Sequence, residues 1–165
     1  TGSDELLGWF FALAGVYVVA TQNAIARLVA GWSRPVSLIT GFGVMASSFA
    51  IVAAAAPFTV GSPLWSLVPA AVFLVTLHTG MMISVPVAKD LVGDLAGNRD
   101  LGSYYGFLNS FGGLAVLVCS VGLGRLLDGA EDPGPAAAVP WLVMAVLLAV
   151  SACGMFWQGR RTYRR

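Results

Sequence analysis

Charge in this chain is confined to short breaks between long apolar stretches, and the breaks sort by sign. From Leu6 onward the apolar sequence is interrupted near Arg27–Arg34, Pro57–Pro63, Lys89–Asp100, Asp128–Pro135 and Arg160–Arg165. The first, third and fifth breaks hold Arg27, Arg34, Lys89, Arg99, Arg160, Arg161, Arg164 and Arg165, which is eight of the nine basic residues. The second break carries no charge, and the fourth carries Asp128, Glu131 and Asp132. If each apolar stretch crosses a bilayer, nearly all the basic residues gather on one side, and the positive-inside rule makes that side the cytoplasm. The pattern predicts an all-α membrane protein of five transmembrane helices, entering from outside and ending inside.

The balance of residues agrees. A chain that is 58% hydrophobic and 10% charged, with a mean hydropathy of +0.82, has too little polar surface to cover a water-soluble globule. The basic residues form no stripe outside the membrane boundary, which argues against nucleic acid as a partner. The arginines after Trp157 read as an anchor facing anionic headgroups. Trp9, Trp65 and Trp141 fall at the predicted outer boundary and Trp32 and Trp157 at the inner one, as expected of rings that prefer headgroup depth.

A helical span needs about 20 apolar residues to cross about 30 Å of hydrocarbon. Five segments qualify within the single unit 1–165, over about 6–26, 36–56, 64–88, 101–127 and 137–157. The first carries Gln22 and Asn23 near its inner end. The third contains His78, the one ionisable residue at mid-depth, flanked by Thr76 and Thr79. An ionisable group there is costly and becomes a functional candidate. Histidine titrates near neutral pH, so His78 is a candidate for lining a cavity or carrying a coupling proton; the plainer reading is a neutral ring hydrogen-bonded between helices. Gln22, Asn23 and Asn109 either line a polar path or join helices through amide bonds, and Thr76 and Thr79 belong with them. Met81 and Met82 offer a soft surface for apolar ligands or simply fill space. Cys119 and Cys153 lie inside spans and read as inert packing residues, with no metal or disulfide implied.

In the fourth segment Gly102, Gly106, Ser110, Gly113, Ser120 and Gly124 recur at spacings near three, four and seven. Small residues allow close backbone approach, which drives helix association in lipid. This stripe is therefore expected to pack against another helix. Enzyme signatures such as HExxH, GxSxG, CxxC or a phosphate loop are absent from the sequence, so the chain is expected to be neither an enzyme nor a cofactor carrier. It opens on Thr-Gly-Ser, and five spans with an outside amino end lead to the expectation that further helices precede it.

Several segments resemble the C-terminal half of a major facilitator superfamily transporter, closest to its proton-coupled multidrug exporter branch. They are Gly-Ser-Tyr-Tyr-Gly-Phe (102–107), the glycines after it, Gly-Arg-Leu-Leu-Asp (124–128), Asn-Ala-Ile-Ala-Arg (23–27) and Val-Pro-Trp (139–141). The resemblance implies helices eight to twelve of a twelve-helix fold, in the plasma membrane with a cytoplasmic C-terminus. It implies alternating access, an antiporter exporting small amphipathic molecules, and protons as coupling ion. The tenth helix would then line the central cavity with His78, the eighth and eleventh would meet the missing N-terminal helices, and the ninth and twelfth would face lipid. Uptake of a nutrient or metabolite by the same fold, and a non-transporting membrane anchor or assembly subunit, are the alternatives. The chain departs from the family at Arg27–Arg34, where the second gating loop has no acid, and at Leu101, where arginine is common. Asp90, Asp94 and Arg99 are the candidates for a cytoplasmic gate, with Arg99 paired to one of the two aspartates.

Overall fold

The computed structural model describes residues 4–59, 63–97, 100–130 and 134–162, and the side chains of 4–7, 59, 63–66 and 158–162 lie outside that description. Five long helices account for nearly all of it: α1 (Asp4–Val29), α2 (Arg34–Thr59), α3 (Pro63–Ala96), α4 (Leu101–Asp128) and α5 (Val139–Thr162). All five are long and apolar enough to cross a membrane. No strand occurs among the described residues. An isolated span must satisfy its own backbone groups in hydrocarbon, and a continuous helix does so.

Helix ends follow local chemistry. Pro63 opens α3 at its first position, where its missing N–H costs nothing. The α3 helix passes the apolar limit at Ala88 and continues to Ala96, because no residue breaks it before Gly97. Gly97 ends it with φ +54°, a left-handed conformation that glycine adopts without strain. Asp100 caps α4: one carboxylate oxygen accepts from the Gly102 backbone N–H at 3.1 Å and the other from the Ser103 hydroxyl at 2.9 Å. A single 3-10 turn, Pro135–Ala138, precedes α5 and packs against α2.

Packing centres on α2, which lies between α3 and α5, while α1 rests on α3. The α2–α3 crossing is closest at two glycines. A Cβ placed on Gly41 would stand 2.7 Å from the Ser84 Cβ and 2.9 Å from the Gly80 carbonyl. One placed on Gly80 would stand 2.6 Å from Met45 Cγ and 2.7 Å from the Gly41 carbonyl. The backbones therefore touch, and Ser37, Ser48 and Ser84 are buried around the contact. The Ser48 and Ser84 hydroxyls donate to the Met45 and Gly80 carbonyls of their own helices, which leaves no unpaired donor in the seam. The expected close-packing glycines lay on α4; the ones in contact here are on α2 and α3.

Towards the other end of α2, Phe49, Phe73 and Trp141 join α2, α3 and α5. Phe49 meets Phe73 edge-on at 5.1 Å, Trp141 stacks on Phe49 at 6.5 Å, and Trp141 meets Phe73 edge-on at 6.2 Å. Each such pair contributes about 0.5–1.5 kcal/mol beyond its buried area. Trp141 is thus half-buried in an inter-helix cluster as well as lying at the end of a span. The α2 helix keeps an outward stripe at Gly43, Ser47, Ile51, Ala54 and Phe58, so a central position still leaves it one face for lipid.

Replacing Gly80 or Gly41 by valine is expected to destabilise the protein by roughly 1–3 kcal/mol through overpacking. Gly43→Val, where nothing lies within 4 Å, is expected to stay within about 0.5 kcal/mol. Thermal unfolding of the detergent-purified protein reads the difference.

Candidate functional site

Halfway along the α1–α3 seam, polar side chains from the two helices meet. On α1 the half-buried and buried positions among the described side chains are Phe10, Ala14, Tyr17, Val18, Thr21, Ile25 and Val29, a stripe at helical spacing that faces α3. Thr79 Oγ1 donates to the Val75 carbonyl at 2.7 Å. Its one proton is thereby used, so Tyr17 donates its phenol proton to Thr79 across the seam, also at 2.7 Å. Thr21 donates to the Tyr17 carbonyl at 2.7 Å, with its oxygen 3.9 Å from Met82 Sδ. Tyr17 is the fourteenth of 26 residues in α1, and Thr79 the seventeenth of 34 in α3. The hydrogen bond between them therefore sits near the middle of both helices. Further along the seam, Trp9, Phe10 and Leu13 face Leu67, Val68 and Val72 around a wholly apolar groove of about 530 Å³.

His78 stands one residue from that bond and is half-buried. Its Nδ1 lies 2.8 Å from the Leu74 carbonyl of its own helix. A carbonyl only accepts, so Nδ1 carries the hydrogen and Nε2 faces away from that bond. The bond expected between helices lies instead within α3. Thr76, also half-buried, is one turn from Gly80 on α3.

The other candidates are spread more widely. Gln22, Asn23 and Asn109 are exposed, and none joins the Tyr17–Thr79 bond. Gly102 follows the Asp100 cap. Gly106, Ser110, Gly113 and Gly124 lie along an α4 helix with no buried residue, where a Cβ on Gly106, Gly113 or Gly124 would meet nothing within 4 Å. Ser110 donates to the Gly106 carbonyl of its own helix. The small-residue stripe is thus open in this bundle. Cys119 and Cys153, read as packing residues, are exposed: α4 has no neighbour over Cys119, and Cys153 lies on the outer face of α5. At the charged end, Asp94 pairs with Arg34, because the long α3 helix carries Asp94 past the start of α2. Arg99 lies outside the described residues. Arg34 and Asp94 are more than half exposed (55% and 58%), so this pair contributes at most about 1 kcal/mol. It nevertheless supplies the acid that the Arg27–Arg34 turn lacks.

Sequence reasoning missed Tyr17, Thr21, Gly41 and Gly80. For Tyr17 and Thr21 the signal was present: two hydroxyls four residues apart, in line with Ala14 and Ile25, mark one face of an apolar helix.

The chain is 30% identical over 130 residues to two uncharacterized MFS-type transporters of Mycobacterium tuberculosis, one from each of two strains. Both relatives are named as major facilitator superfamily transporters. The match takes in 76% of this chain and 30% of each relative, so the chain spans about a third of the length of the proteins it resembles. No family model matches the sequence. No solved structure matches it either. These relatives are transporters by name and not enzymes.

Tyr17→Phe and Thr79→Val are each expected to weaken the seam, with a coupling energy of about 0.6 kcal/mol between them. A double-mutant cycle on thermal unfolding measures it, and full additivity would show that the bond is absent in the membrane.

Proposed function

We propose that this chain is part of a secondary active transporter that works by alternating access, in the proton-coupled multidrug exporter manner. The similarity to MFS-type transporters over 130 residues carries this reading. In it the five helices are the eighth to twelfth of a twelve-helix fold in the plasma membrane, with the C-terminus in the cytoplasm. The exposed faces of α1 and α4, with Gln22, Asn23, Asn109 and the small-residue stripe, pack against N-terminal helices of the same polypeptide. The solute is a small amphipathic molecule, and protons are the coupling ion.

Two features of the seam support this role. A polar cluster halfway along α1 and α3 lies at the depth where repeat-built transporters hold solute and ion. His78 presents Nε2 as the proton acceptor, while the Leu74 carbonyl holds the ring. The adjoining groove of Trp9, Leu13 and Val72 offers an apolar wall to the hydrophobic part of a solute. A proton moving down 100 mV releases about 2.3 kcal/mol, and each pH unit adds about 1.4 kcal/mol. Together these suffice for modest uphill export.

The test is ethidium flux into inverted proteoliposomes of the complete polypeptide under an imposed pH gradient. The expected result is accumulation that collapses with a protonophore, and that His78→Gln reduces about tenfold, equivalent to about 1.4 kcal/mol of coupling. Flux that ignores the gradient, or survives unchanged in His78→Gln, would contradict the proton role. Absence of any solute flux would leave an anchor or assembly subunit.

A further inference from the structure

Between α3 and α4, at the end of the bundle that bears the basic residues, an open cleft of about 630 Å³ combines one cation with apolar walls. Lys89, Tyr105 and Asn109 provide its polar atoms, and Val85, Val92 and Leu108 its apolar ones. The Tyr105 hydroxyl donates to the Lys89 carbonyl at 3.1 Å, tying the first turns of α4 to α3 and fixing the mouth of the cleft. Lys89 is exposed and has no ion-pair partner among the described residues. The nearby acids point elsewhere: Asp94 holds Arg34, Asp100 caps α4, and Asp90 sits about 100° further round the helix than Lys89.

Depth identifies the occupant. The apolar part of α3, about 64–88, has its middle at Thr76. At 1.5 Å per residue, Lys89 lies about 20 Å from it, just outside a hydrocarbon layer about 30 Å thick, at headgroup depth. A cation there meets phosphate on its polar side and acyl chain on its apolar side. Val85 and Leu108 line the part of the cleft nearer the midplane, where an acyl chain would run. A soluble anion would use only the Lys89 end of such a cleft.

We propose that the α3–α4 cleft binds one anionic phospholipid of the cytoplasmic leaflet, with its phosphate on the Lys89 ammonium and an acyl chain along Val85 and Leu108. The proposal rests on the reading that places this end of the bundle on the cytoplasmic side. Bound there, the lipid bridges α4, which has few other contacts, to α3.

Native mass spectrometry of the complete protein in detergent, titrated with phosphatidylglycerol or phosphatidylcholine, tests it. Wild-type protein is expected to retain phosphatidylglycerol about fivefold better than phosphatidylcholine, the preference that one near-surface lysine confers. Lys89→Gln is expected to abolish the preference and Lys89→Arg to keep it. Equal retention of the two lipids by the wild type would overturn the proposal, as would a preference unchanged in Lys89→Gln. Displacement of phosphatidylglycerol by millimolar inorganic phosphate would overturn it in favour of a soluble anion. Retention in detergent senses neither sidedness nor flux, so failure here and failure of the transport reading are distinguishable.

Discussion

Two helices in hydrocarbon gain little from hiding apolar surface from each other, so their association depends on how closely their backbones approach. In this chain that approach occurs where Gly41 of α2 meets Gly80 of α3, with no room for a Cβ on either. Most of the bundle hangs on that contact. It sets α2 against α3, the aromatic cluster of Phe49, Phe73 and Trp141 adds α5, and the Tyr17–Thr79 bond adds α1. The α4 helix alone lies outside this arrangement, with no buried residue.

The contrast between α4 and the rest bears on mechanism. Dense glycines and serines on a helix with almost no neighbours, beside two helices locked at glycine contacts, divide the bundle into a fixed part and a part open to further packing. In an alternating-access transporter, α2, α3 and α5 would move as one body. The α1 and α4 faces would be the surfaces that meet and part. The exposed ion pair Arg34–Asp94, the one found among the described residues, joins α2 and α3 and so braces the fixed part.

The sequence made the membrane architecture legible because burial in lipid imposes its pattern one helix at a time. Length, charge asymmetry and tryptophan placement each speak about a single span. Contacts between spans are pairwise, and the sequence carries only half of each. Gly41 looked like one small residue among many until Gly80 faced it, and the richer stripe on α4 drew attention to a helix that touches little here. His78 was visible because an ionisable residue at mid-depth is rare. Its partner was not, because a carbonyl one turn back competes with any neighbouring helix. The Arg34–Asp94 pair was hidden for a similar reason: how far α3 extends past the hydrocarbon decides which cation Asp94 can reach.

Depth and sidedness underlie the midplane placement of Tyr17, His78 and Thr79 and the boundary placement of Lys89. The most direct measurement is therefore cysteine labelling in intact cells, with Cys119 and Cys153 first replaced by alanine. Single cysteines are introduced by Ser33→Cys, between α1 and α2, and by Ala130→Cys, after α4. An impermeant maleimide is expected to label Ala130→Cys from outside, and Ser33→Cys only after the membrane is permeabilised. Labelling of both from the same side, or of Ser33→Cys alone from outside, would contradict the account.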